Sequence, residues 1–172
     1  VMAQVGFHIN LVSLIGVVTT GQPRLLLVAF CEHGSLDSYV RKAASSRNGI
    51  VLTSDNKLRM CLEVAQGMNF LHRKSVVHRD LAIRNILLDS EYACRVADFG
   101  LSRGTLGNCT DDDDQDSGQI YYRSQNGIFP LRWTAPEAME TLRFTPAADV
   151  WSWGVVAIEL FLDGAKPYPF LN

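Results

Sequence analysis

Val77-His78-Arg79-Asp80-Leu81-Ala82-Ile83-Arg84-Asn85-Ile86-Leu87-Leu88 decides how this chain is read, together with Ala97-Asp98-Phe99-Gly100 downstream. Asp80 and Asn85 stand just ahead of an apolar run, and Asp98 opens a Phe-Gly turn after a second one. These residue types suit metal-assisted transfer of a phosphoryl group. Asp80 can orient a hydroxyl and accept its proton. Asn85 and Asp98 offer the oxygen ligands that a hard cation such as magnesium takes. Residues 86–88 and 94–97 read as two strands joined by Asp89-Ser90-Glu91. That hairpin would bring Asn85 and Asp98 to neighbouring ends, close enough to share one metal.

Composition bounds the rest. The chain has 172 residues, 47% of them hydrophobic and 20% charged, which fits one soluble domain with a real core. A net charge of −2 argues against a general nucleic-acid binder. Cys31, Cys61, Cys94 and Cys109 show no zinc-ligand spacing, so reduced thiols are expected. No signal-peptide pattern is present, and the apolar runs near residues 155–162 are too short and interrupted to span a membrane.

The motifs resemble those of the protein kinase family. His78-Arg79-Asp80-Leu81-x-x-x-Asn85 is similar to its catalytic loop, Asp98-Phe99-Gly100 to its metal-binding turn, and Ala135-Pro136-Glu137 to the end of its activation segment. The three occur in the family's order. The resemblance implies an α+β, two-lobe fold, here incomplete: residues 1–30 the end of a small lobe, 31–34 the hinge, and 35–172 a truncated large lobe. It also implies ATP and Mg2+ as cofactors. By the family's pattern, the glycine-rich loop, the strand lysine and its helix glutamate would fall before Val1, and the piece alone is expected to fold poorly and be inactive.

Along the chain, residues 1–5 look like the end of the small-lobe helix, with Val12 and Leu14 sharing a face of the next strand. Residues 19–23 form a turn. The run 24–30 is a strand whose continuous apolar character predicts burial on both faces. By resemblance Val28 is the gatekeeper behind the adenine, the backbone of Ala29 and Cys31 bonds its edge, and Leu87 floors its pocket. A short helix is expected over 36–43 and a polar loop over 44–52. A longer helix follows, capped by Ser54-Asp55, with Leu58, Cys61, Leu62, Ala65, Met68 and Leu71 on its core side. Residues 150–162 are apolar almost all round and predict a central helix. Asp149 at its start would anchor the catalytic loop, while Met2, Leu14, His78 and Phe99 would stack as a spine between the lobes.

Residues 101–131 correspond to the activation segment, polar and glycine-punctuated, with Asp111-Asp112-Asp113-Asp114-Gln115-Asp116 as a self-repelling insert. Tyr121 and Tyr122 within it are candidates for autophosphorylation. A phosphate there could pair with Arg79 and with Arg123. Two features resemble the tyrosine kinase branch. Arg84 precedes Asn85, and Ala82 stands where serine/threonine kinases place lysine. Phe129-Pro130-Leu131-Arg132-Trp133 is similar to the platform, centred on Pro130 and Trp133, that supports a phenol side chain. Glu137 is a structural position in the family. The expected substrates are proteins with tyrosine, and a second kinase molecule is the partner for phosphorylation in trans. The kinase would lie on the cytoplasmic side, with a receptor or a cytosolic parent both open. A non-catalytic pseudokinase and a truncated scaffold or regulator stay open as alternatives.

Overall fold

The computed structural model describes residues 2–45, 51–98, 103–104, 122–123 and 130–170. Helices and strands are mixed, as an α+β chain requires. In order they are α1 (Met2–Val5), β1 (Leu14–Val18), β2 (Leu25–Val28), β3 (Gly34–Ser35), α2 (Leu36–Ser45), α3 (Ser54–Arg73), β4 (Val76–Val77), β5 (Ile86–Leu88), β6 (Cys94–Val96), β7 (Arg103–Gly104), β8 (Tyr122–Arg123), α4 (Pro136–Thr141), β9 (Arg143–Phe144) and α5 (Pro146–Phe161). Phe99, Tyr121, Val1 and the acidic run 111–116 lie outside the described residues.

The core sits where α3 packs on α5 and on the β5–β6 hairpin. Leu36, Met60, Val64, Leu71, Leu81, Ile83, Ile86, Leu88, Val156 and Leu160 are buried there. β5 and β6 pair antiparallel as expected, with Ile86 opposite Val96 and Leu88 opposite Cys94, and β3 adds to the other edge of β5. The amino-terminal segment is sewn onto this hairpin. Val12 N–H donates to the Val96 carbonyl at 2.9 Å, Val96 N–H donates to the Asn10 carbonyl at 2.9 Å, and Asn10 Nδ2 donates to the Cys94 carbonyl.

Several expectations are corrected. The strand β2 is not buried on both faces: Leu25, Leu26, Leu27 and Val28 are 50%, 59%, 45% and 40% exposed. Among the described strands it pairs with β1 alone, in a two-stranded sheet. The cap of α3 is Thr53, one residue earlier than Ser54. Its hydroxyl accepts the Asn56 N–H, and the Asn56 side chain accepts the Thr53 N–H in a reciprocal box. Leu58 and Leu62 are both 58% exposed. The inward face of α3 instead runs through Lys57, Met60, Cys61, Val64, Met68 and Leu71. Lys57 joins that face by burying its stem while Nζ meets Asp163 at 2.7 Å.

A further correction concerns α5. It begins at Pro146, capped by the Thr145 hydroxyl on Ala148 N–H. Val150, Trp151, Ile158 and Phe161 are exposed, while Asp149, Ser152 and Glu159 are buried with Val155, Val156 and Leu160. Apolar content all round therefore did not mean burial all round. The polar residues face inward because each meets a backbone or side-chain partner there. The helix α2 runs to Ser45, two residues beyond expectation.

Candidate active site

The loop between β4 and β5 carries the acid and the amide, and three elements hold it. From α5, the Asp149 carboxylate accepts the His78 N–H at 2.8 Å and the Arg79 N–H at 3.0 Å. From α3, His72 Nε2 approaches the same carboxylate at 3.0 Å. Asp149 is 2% exposed, so these partners replace water. Arg79 has φ 74°, a left-handed conformation that a non-glycine residue adopts only when its surroundings enforce it. Its guanidinium lies 4.8 Å from the centre of the Phe144 ring on β9.

His78 is fully buried and uses both ring nitrogens. Nδ1 accepts the Asp80 N–H at 3.3 Å, so Nε2 carries the proton and donates to the Ala97 carbonyl at 2.9 Å. Beyond its expected core position, the ring makes a hydrogen-bonded tie. It fixes the loop bearing Asp80 to the residue before Asp98. Met2 packs nearby, with Leu87, against the cluster of Val12, Cys31 and Ala97, while Leu14 is half-buried on β1.

Asp80, Arg84 and Asn85 converge. Arg84 pairs with Asp80 Oδ1 across one turn. Asn85 Nδ2 donates to the Asp80 carbonyl at 2.7 Å and to Asp80 Oδ2 at 2.9 Å. The amide nitrogen is thereby committed to Asp80, and Asn85 Oδ1 is the atom left for a cation. Ala97 N–H donates to the Asn85 carbonyl at 2.9 Å, so Asp98 follows directly beside Asn85, as the hairpin reading requires. Asp98 is exposed, with φ 56°. An amide oxygen and a carboxylate are the kind of hard donors that magnesium takes alongside waters and phosphate oxygens.

The segment 130–134 lies against this group. Arg84 stacks its guanidinium 4.3 Å from the centre of the Trp133 ring. The Trp133 Nε1–H donates to Glu159 Oε2 at 2.8 Å, and the Ile83 N–H reaches the same oxygen at 3.3 Å. The Thr134 hydroxyl donates to the Pro130 carbonyl at 2.9 Å and holds the turn closed. Ser152 donates to the Trp133 carbonyl at 2.7 Å. Burial is the largest influence on Glu159 and raises its carboxyl above the ordinary value, against the lowering from Trp133, Ile83 and Arg84. Glu137 is exposed on α4.

Toward the amino-terminal side, Val28 ends β2 and residues 29–33 lead into β3. Ala29 N–H donates to the Ser13 carbonyl at 2.9 Å, and the Cys31 carbonyl accepts the Gly34 N–H at 3.2 Å. The groups remaining are an acceptor at Ala29 and a donor at Cys31, with Leu87 packed beside Cys31. Burial pushes the Cys31 thiol up, more than Arg95 lowers it, so it packs as an apolar group.

Sequence reasoning missed Glu159, His72 and Ser152. The available signal was Glu159 as a lone charge within Val155-Val156-Ala157-Ile158-Glu159-Leu160. An ionisable residue in such a run needs a buried partner.

A family model described as "Protein tyrosine and serine/threonine kinase" matches residues 1–172. The chain is 41% identical to ephrin type-A receptor 7 of Gallus gallus and 42% identical to ephrin type-B receptor 4 of Homo sapiens, each over 94% of its length. It spans about 15% of the length of these curated relatives. Among the described residues no helix is long and apolar enough to cross a membrane. The chain belongs to the protein tyrosine and serine/threonine kinase family.

Proposed function

We propose that the chain works, within its native gene product, as the central part of a tyrosine kinase catalytic domain. It transfers the γ-phosphoryl of ATP to tyrosine hydroxyls of proteins. In this reading residues 1–30 belong to the small lobe, 31–34 to the hinge and 35–172 to the large lobe. The observation that carries it is the joint hold on Asp80 by Arg84 and Asn85, with Trp133 of the platform stacked on that same Arg84.

The adenine edge would lie on the Ala29 carbonyl and the Cys31 N–H, with Val28 behind and Leu87 beneath. Asn85 Oδ1 and Asp98 would hold magnesium, which supplies charge neutralisation on the phosphates. Pro130 and Trp133 seat the phenol. Asp80 takes the hydroxyl proton as the new oxygen–phosphorus bond forms and the bond to the β-phosphate oxygen breaks, and ADP leaves. A tyrosine hydroxyl stands farther from its backbone than a serine's, so the platform sets the depth at which a peptide is held.

Tyr121 and Tyr122 are the proposed autophosphorylation sites, modified by a second copy of the kinase. Support comes from register: β8 pairs antiparallel with β9 and sets Tyr122 opposite Phe144, whose ring carries Arg79. The ephrin receptor names of the relatives favour a receptor parent with its kinase on the cytoplasmic side.

The test is the rate of transfer from ATP to a tyrosine peptide by the native gene product and by its Asp80→Asn variant. The variant should be slower by roughly 10²–10⁴-fold with an unchanged melting transition. Equal rates would remove Asp80 from the role of base.

A further inference from the structure

The inward face of α5 carries three polar residues, and two have plain structural duties. Asp149 holds the loop backbone, and Ser152 bonds the carbonyls of Trp133 and Ala148. Glu159 does something different. It is 4% exposed, and its Oε2 receives one bond from the platform, through Trp133, and one from the catalytic loop, through Ile83. Arg84 lies over the face of the same indole and pairs with Asp80. A buried carboxylate in an apolar helix is costly to keep unless its bonds matter.

We propose that Glu159 is a positioning residue for the protein substrate, a buried carboxylate that ties Trp133 to the catalytic loop and so fixes how far the platform stands from Asp80. This rests on the function proposed above and deepens it. The indole is fixed on one edge by Glu159 and carries the Arg84 guanidinium on its face. Freeing that edge lets the ring tilt, and the platform and the base then lose their common reference. Catalytic rates are sensitive to displacements of about 1 Å, which can change them ~10²-fold. Glu159 reaches neither the hinge nor Asn85, so its effect falls on the peptide and not on the nucleotide.

The experiment uses the native gene product with a tyrosine peptide and ATP as probes, and separates the two KM values. Glu159→Ala should raise the peptide KM about tenfold or lower kcat by a similar factor, with the ATP KM held within about twofold. Glu159→Gln keeps an oxygen acceptor for both N–H groups and should restore transfer to within about threefold of wild type. Should Glu159→Ala fail to fold, Trp133→Phe serves as the second variant. It keeps a ring under Arg84 but cannot donate to Glu159, and it should reproduce the peptide-selective loss. Folded variants with wild-type peptide kinetics would overturn the proposal. So would an ATP KM that rises in step, or a Gln variant no better than Ala. A wild-type enzyme that transfers nothing to the peptide sinks the functional reading, and this inference with it.

Discussion

Asp149 shows how much one side chain determines at the residue scale. Its two oxygens take the N–H groups of His78 and Arg79, and the second of these residues sits at φ 74°. Removing the carboxylate takes the acceptor from two buried backbone N–H groups and one anchor from the left-handed arginine. Asp149→Ala should therefore destabilise the protein by about 3 kcal/mol or more, measured by denaturant unfolding. A loss under about 1 kcal/mol would mean that the loop holds its shape by other contacts. Asn85 makes a second residue-scale prediction. Its Nδ2 donates to Asp80 at 2.9 Å, so Asn85→Asp sets two carboxylates against each other. Transfer should fall at least about tenfold at neutral pH through lost orientation of Asp80. Full activity with normal magnesium dependence would contradict the assigned contact.

That Asp80, Asn85 and Asp98 come close together was legible in the sequence, because each sits in a motif whose spacing carries meaning. Glu159 and His72 were not, because Trp133 and Ile83 lie 26 and 76 positions from the first and Asp149 lies 77 from the second, and only folding brings them together.

Elements show where pattern reading succeeds and where it stops. The β5–β6 hairpin was legible from its two apolar runs and polar turn, and Asp89 closes that turn. Burial works to raise its carboxyl. The Ala93 N–H at 2.9 Å, the Arg95 side chain at 2.9 Å and the Glu91 N–H at 3.0 Å outweigh it and hold the group below the ordinary carboxylate range. The folded state thus prefers the ionised form. Its contribution is complete above the ordinary carboxylate pKa and is lost as pH falls through the lowered folded value. Asp89→Asn should lower the melting temperature at pH 7, and the gap to wild type should shrink below about pH 4. A gap that persists unchanged in acid would assign the effect to shape and not charge.

The helix α3 offers a test of packing against propensity. A Cβ added at Gly67 would meet the Asn10 carbonyl oxygen at 2.7 Å. Alanine is the better helix former by about 1 kcal/mol, yet Gly67→Ala should lower stability, because the Asn10 backbone is itself bonded to Val96. A rise in melting temperature would show that the amino-terminal segment yields freely.

At the scale of the whole molecule, surface explains what pattern could not. The run in β2 looked like a strand buried on both faces, and α5 looked central on every side. Apolar content tells which residues seek cover, but not which elements supply it. Among the described residues β1 and β2 pair only with each other, and the outer face of α5 bears Val150, Trp151 and Ile158. A polypeptide of residues 1–172 expressed by itself should therefore self-associate and bind hydrophobic dyes. A monodisperse monomer in sedimentation velocity would contradict that expectation.

We infer that Asp80, Arg84, Asn85 and Trp133 together direct phosphoryl transfer to a phenol. The most direct measurement identifies the acceptor. The native gene product is incubated with ATP, magnesium and peptides that differ only in tyrosine, serine or threonine at one position, and the phosphorylated residue is identified by mass spectrometry. Phosphate is expected on tyrosine alone, lost in Asp80→Asn. Phosphate on serine or threonine, or nucleotide binding without any transfer, would contradict it.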